Sequence, residues 1–221
     1  NILGPDVLSL DSVDYPSMGS KDLIVAIKYC GICGTDLSYI SSGGLMGPQK
    51  DPMPLGHEMS GTVIEIGTDV KDININDRVA INPMGNNNSI GNGGPEGGMT
   101  NFLLVKNAIL NESIFKLPDE MSFEIGALIE PFAVALRTIN RSNLDQDAKI
   151  AVCGLGCIGF SVVTLLSYFG YKNIIAIDLY NLRVSNANEL DAVKAYSDWE
   201  SFSNALKKFH GKGEIFGIPV S

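Results

Sequence analysis

Lys149-Ile150-Ala151-Val152-Cys153-Gly154-Leu155-Gly156-Cys157-Ile158-Gly159 is the stretch that decides the fold. A short β-branched run leads into a turn with three glycines, and an apolar helix follows. Asp178 closes the next strand, 19 residues beyond Gly159. Strand, glycine turn, helix and distant acid together form a dinucleotide fingerprint in its required setting. Gly154 makes the tight turn, and Gly156 clears space for a pyrophosphate. Gly159 lets helix and strand pack closely. The amides around Ile158 and the positive end of the helix dipole would then meet the phosphates. Asp178 can accept hydrogen bonds from the ribose hydroxyls and would repel a 2′-phosphate, which favours NAD over NADP. Arg183, five residues further on, is a candidate contact for the adenosine end. Cys153 and Cys157 read as small buried filler.

Outward from this turn the chain divides. From Lys149 the order is strand, helix, strand (Asn173–Asp178), helix, a β-α-β unit with a parallel sheet. Upstream the strands are short and separated by turns. Leu23 to Cys30, Thr62 to Ile66, Arg78 to Ile81 and Phe102 to Val105 suggest a small antiparallel barrel or sandwich. Thr35 or Asp36 can cap a short helix after Gly31, and Ser122 can cap another. Pro131 suits the first position of a further helix, which leaves Glu130 at the junction. Residues 82–98 hold five Asn, six Gly and two Pro, so they read as a long loop that holds no core. The expected domains are 1–142 and 143–221.

Composition limits the function. The 221 residues carry a net charge of -9 and are 45% apolar, enough for a sizeable core and wrong for a nucleic-acid surface. Four cysteines in a chain this long do not make a disulfide framework. No charged leader pattern opens the sequence, so a cytoplasmic protein is expected. Ala151 to Tyr171 is uncharged and long enough to span a bilayer. Its crowded glycines and amphipathic second half argue against a membrane partner.

Two further motifs carry chemistry. Tyr29-Cys30-Gly31-Ile32-Cys33-Gly34-Thr35-Asp36 has C-x-x-C spacing, yet no second pair exists to close a structural zinc site. One cysteine as a metal ligand fits better. Pro54-Leu55-Gly56-His57-Glu58-Met59-Ser60-Gly61 sets imidazole beside carboxylate, both able to bind zinc. Alone, a His-Glu pair is ordinary surface chemistry.

In order, Gly-Ile-Cys-Gly-Thr-Asp, Gly-His-Glu with His57 24 residues after Cys33, Ile-Glu-Pro and the nucleotide turn resemble the medium-chain zinc-dependent alcohol dehydrogenases. Glu130-Pro131 resembles the sorbitol (polyol) dehydrogenase branch. The resemblance implies an α/β protein. A GroES-like β-barrel catalytic domain would precede a Rossmann domain, here apparently incomplete. It implies an NAD-dependent oxidoreductase acting on a secondary alcohol or polyol and forming dimers or tetramers. By the same resemblance Cys33, His57 and Glu58 bind one catalytic zinc, and Glu130 is the fourth ligand or holds its water. Thr35 and Glu58 serve the catalytic step, with Thr35 relaying the substrate proton. Asp36 orients His57, Tyr39 faces the substrate, and Cys30 is a bystander.

Three departures are visible. No cysteine lies in 82–98, so no structural zinc is expected. Ser38 stands where the family often carries the histidine that ends its proton relay. The chain is short for the family, and Gly213 to Pro219 resembles a later strand of the nucleotide domain. His210 reads as an exposed helix-end residue. Two rival readings are a zinc-free NADPH-dependent quinone-reductase-like enzyme and a non-catalytic nucleotide-binding protein of the same fold. Cys33, His57, Glu58 and Asp178 argue against the first.

Overall fold

The computed structural model describes residues 1–209 with their side chains, and the backbone of 210, 213–215 and 218–220. The chain forms two compact units, Asn1–Glu130 and Pro131–Ser221.

The first unit opens with β1 (Ile2–Gly4) and β2 (Val7–Leu8), paired antiparallel. Its main sheet uses β3 (Leu23–Gly31), β4 (Glu58–Ile66), β5 (Arg78–Ile81), β6 (Phe102–Val105) and β7 (Ile114–Lys116). Among the described residues these run antiparallel in the order β6-β3-β4-β5-β7. Leu23, Val25, Val63, Val79, Leu103 and Ile114 are each 0% exposed and form its core. The loop of residues 82–98 departs from expectation, because Ile90 is 1% exposed and sits in that core. One apolar side chain anchors a segment whose average composition is polar.

Helix α1 (Gly34–Ser42) starts at Cys33, which occupies the N-cap position instead of Thr35 or Asp36. Asp36 still helps, since its Oδ2 accepts the Cys33 amide at 2.9 Å. Ser122 caps α2 (Phe123–Ala127) through the Ile125 amide, as expected. Helix α3 runs Ile129–Ser142, so Glu130 lies inside its first turn and not at a junction. Pro131 is tolerated there because the first amides of a helix have no partner within it.

In the second unit β8 (Ile150–Cys153), β9 (Ile174–Ile177) and β10 (Val193–Tyr196) run parallel, in the order β10-β9-β8. Helices α4 (Cys157–Tyr168) and α5 (Asn181–Asn188) link them, and α6 (Trp199–His210) follows. The side chain of His210 lies outside the described residues. Strands β11 (Gly213–Ile215) and β12 (Ile218–Val220) pair with each other. Cys153 and Cys157 are exposed, which corrects their reading as buried filler. Cys153 ends β8, one of the two edge strands of this sheet among the described residues, and Cys157 begins α4 at the open glycine turn. No helix among the described residues is long and apolar enough to cross a membrane.

Candidate metal centre and nucleotide turn

Strand pairing brings the distant motifs together. Antiparallel β3 and β4 are in register with Gly31 opposite Glu58. Cys33 lies just past the end of β3, and His57 lies just before β4. The Cys33 sulfur, one His57 nitrogen and a Glu58 oxygen accordingly fall within 4.8 Å of one another. His57 and Glu58 are each 5% exposed. A Cβ on Gly31 would collide with the Glu58 carboxylate, so glycine there makes room for it. Gly56 has φ of +93° and sits against the Cys30 sulfur, a conformation and a clearance that suit glycine alone. Gly61 plays a different part, since its bare Cα lies against the β3 backbone.

His57 Nδ1 faces Asp36 Oδ1 at 3.4 Å, and neither atom has a hydrogen-bond partner. The Asp36 side chain is 1% exposed, so its charge is buried against the imidazole. Asp36 pushes the His57 pKa up to about 9, against the pull of burial, and Cys33 adds to the rise. Burial works to raise the Asp36 pKa, but His57 and the Cys33 amide outweigh it and hold it low. Glu58 is raised by burial. Burial also lifts the Cys30 thiol to about 12, so Cys30 stays protonated beside the site.

The other expected residues divide between near and remote. Glu130 is not one of the three converging groups. Burial raises its pKa, while His57 lowers it and Glu58 raises it further, so it feels the same charges. Thr35 is exposed on the first turn of α1. The Ser38 hydroxyl turns back onto the Gly34 carbonyl at 3.2 Å. Tyr39 is half-buried, and its hydroxyl donates to Asn92 Oδ1 at 3.3 Å. Sequence reasoning missed Asn92, because nothing in an Asn/Gly-rich loop marks one asparagine over another. A separate cleft of 940 Å³ between residues 9–16 and 95–102 is reached by Cys30, and Cys33, His57 and Glu58 do not line it.

In the second unit Gly154 has φ of +92° and Gly156 precedes α4 as its N-cap. A Cβ on either would meet nothing within 4 Å, so the space over the helix end is open. A Cβ on Gly159 would strike the Gly154 carbonyl oxygen. The Asp178 carboxylate accepts the Leu155 amide at 2.7 Å and the Tyr180 amide at 2.8 Å. Those amides, with Arg183, hold its pKa low. Arg183 Nη1 lies 3.3 Å from Asp178, and its guanidinium sits 4.8 Å from the Tyr180 ring centroid. Asp178 thus fastens the glycine turn to the end of β9 while keeping lone pairs for a ligand.

Residues 19–119 match the alcohol dehydrogenase GroES-like domain family. The chain is 34% identical to the (R,R)-butanediol dehydrogenase of Bacillus subtilis, over 84% of this chain and 59% of that protein. It is also 34% identical to the sorbitol dehydrogenase of Homo sapiens, over 86% and 57%. The crystal structure of 2R,3R-butanediol dehydrogenase from Bacillus subtilis shares 31% identity and a TM-score of 0.79. That match covers 95% of this chain and 66% of the other. The chain belongs to the zinc-dependent medium-chain dehydrogenase family, on its polyol dehydrogenase-like side. This member of the family spans less than two thirds of the length of those relatives. Its fold is α/β, a GroES-like unit followed by a Rossmann-type unit.

The donor set of this chain fits zinc. Thiolate, imidazole and carboxylate are the ordinary zinc ligands, at about 2.0–2.3 Å from the ion. With Nδ1 turned to Asp36, Nε2 is left to face the cation, the usual carboxylate–histidine arrangement. Replacing Asp36 with alanine should therefore weaken zinc by about 10–100-fold while leaving the three ligand side chains in place. Competition against a chromophoric chelator measures this, and an unchanged affinity would show that Asp36 does not orient His57.

Proposed function

We propose that the protein is a zinc-dependent oxidoreductase that moves hydride between a secondary alcohol or polyol and NAD. The observation that carries this reading is the convergence of Cys33, His57 and Glu58 in a chain that also bears the Gly154–Gly159 turn. Bound there, zinc would supply Lewis acidity that eases loss of the alcohol proton, and NAD would accept the hydride. Cys33, His57 and Glu58 would hold the metal. Glu130, half-buried and sensing His57 and Glu58, would supply a fourth ligand or hold a water. The Thr35 hydroxyl would take the proton from the alcohol oxygen and pass its own to solvent. Ser38 would not carry it further, since its hydroxyl is committed to Gly34. Gly154, Gly156, Ile158 and Gly159 would seat the pyrophosphate, and Asp178 the ribose, with Arg183 at the adenosine end. One zinc per chain is proposed, because 82–98 offers no thiolates for a second. A cytoplasmic dimer or tetramer that binds neither nucleic acid nor membrane completes the reading; the net charge of -9 speaks against the nucleic-acid partner.

Purified protein with NAD and a panel of polyols tests this. NADH should appear with a vicinal diol or sorbitol, vanish with a chelator and return with zinc. Turnover that survives complete metal removal would favour the zinc-free reading instead.

Zinc loading should also depend on pH with a definite sign. Zinc needs neutral imidazole, but in the metal-free protein His57 keeps its proton up to about 9. Below that pH each zinc displaces the imidazole proton, besides the proton of the Cys33 thiol, so affinity should rise with pH up to about 9. The stability that His57 lends the metal-free protein runs the opposite way. It is full below the ordinary value of 6.5 and is lost as pH rises through about 9. Calorimetric titration with zinc in buffers of different ionisation enthalpy counts the released protons; none released at pH 7 would contradict the His57 assignment.

A further inference from the structure

One face of the main sheet carries both a metal ligand and the seat of a helix. On β4, Met59 and Val63 belong to the core, so Glu58, Ser60 and Thr62 alternate onto the opposite face. The neighbouring strands extend that face, with Gly31 opposite Glu58, Tyr29 opposite Ser60 and Arg78 opposite Thr62. Ser60 therefore stands one same-face step from Glu58, about 6–7 Å along an extended strand.

Helix α2 lies against β3, β4 and β5. Side chains from all three strands hold it. Ser60 is 0% exposed, and its hydroxyl donates to the Phe123 carbonyl. The Tyr29 hydroxyl bonds the Glu124 carboxylate. Arg78 donates to the carbonyls of Pro118 at 2.9 Å, Asp119 at 2.8 Å and Met121, in the turn that leads into α2. Its guanidinium also sits 4.5 Å from the Phe123 ring centroid. A Cβ on Gly126 would crowd Leu117 and Ser60, so the helix lies flush on the strand.

What α2 delivers is Glu130. Only Leu128 separates α2 from α3, and its amide still donates to the Ile125 carbonyl at 3.0 Å, so the junction has little slack. Glu130 stays within the first compact unit, where the charges of His57 and Glu58 act on it. We propose that Ser60 and Arg78 are positioning residues for the metal centre. By seating α2 on the strand that bears Glu58, they fix where Glu130 stands relative to Cys33, His57 and Glu58. Serine supplies the small donor that a flush helix allows, and the guanidinium fork reaches three carbonyls as an ammonium cannot. The proposal rests on the zinc reading and not on alcohol oxidation.

The test measures zinc affinity by chelator competition, and the visible spectrum of the cobalt(II)-loaded protein, which reports how many groups surround the ion. Glu130→Gln should weaken zinc at least about tenfold and shift the cobalt bands. Ser60→Ala and Arg78→Lys should each weaken zinc by about tenfold, the low end for an outer partner, and shift the bands the same way. Placed on top of Glu130→Gln, either should add nothing, because both act through that carboxylate. Ser60→Ala removes a single oxygen and serves if Arg78→Lys lowers Tm. Equal weakening with and without Glu130→Gln would make Ser60 and Arg78 merely structural and overturn the proposal. Full zinc affinity in Glu130→Gln would overturn it too, while leaving Cys33, His57 and Glu58 as ligands. A wild type that takes up no zinc would remove the metal reading itself, and the proposal with it.

Discussion

Cys33→Ser should leave a folded protein that binds NAD but holds no zinc and turns over no alcohol. The folding half of this expectation comes from the position of Cys33 as N-cap of α1. Serine is among the best residues there, so the helix keeps its start. The loss of metal comes from chemistry. The thiolate is the soft donor of the set, and a neutral hydroxyl does not replace it. Losing a direct ligand should exceed the roughly 10–100-fold cost of losing an outer partner such as Asp36. NAD binding should persist because Gly154–Gly159 and Asp178 belong to the other compact unit. Zinc content by mass spectrometry and NADH fluorescence read the two halves separately. A fully active Cys33→Ser enzyme would remove Cys33 from the site.

Gly156→Ala and Gly159→Ala should fail in different ways. A methyl on Gly156 meets open space, so the fold should survive. That space is where the pyrophosphate would lie, so NAD affinity should fall at least about tenfold. A methyl on Gly159 meets the Gly154 carbonyl oxygen, which is backbone and cannot rotate away. Overpacking of this kind costs about 1–3 kcal/mol or more, and here it forces α4 off β8. Gly159→Ala should therefore lower Tm as well as NAD affinity, with zinc retained in both variants. Equal NAD affinity in Gly156→Ala and wild type would place the cofactor elsewhere.

The two chemical motifs were legible in sequence because each is local. Gly154, Gly156 and Gly159 act through turn conformation and Cβ clearance, and both follow from residue type and spacing alone. Cys33 and His57 were legible only as candidates. Their meeting depends on the register of Gly31 opposite Glu58, which no spacing encodes. What went unread was tertiary. The strand Ile114–Lys116 is too short to show a period of its own. Proline at the first helical position would put Glu130 at a junction, but a helix tolerates proline a little deeper in its first turn. Cys153 and Cys157 are exposed against expectation because burial of a small residue depends on what covers its strand or helix end. The loop of residues 82–98 reads as coreless because one isoleucine hardly moves a compositional average, yet Ile90 seats in the core and Asn88 and Gly98 bond the loop to Lys106 and Gly56.

X-ray absorption at the zinc edge of the loaded protein tests the central claim most directly. It should show one zinc per chain with a single sulfur at about 2.3 Å and only nitrogen and oxygen beside it at about 2.0–2.2 Å. A shell with two or more sulfurs, or with none, would contradict a metal held by Cys33, His57 and Glu58.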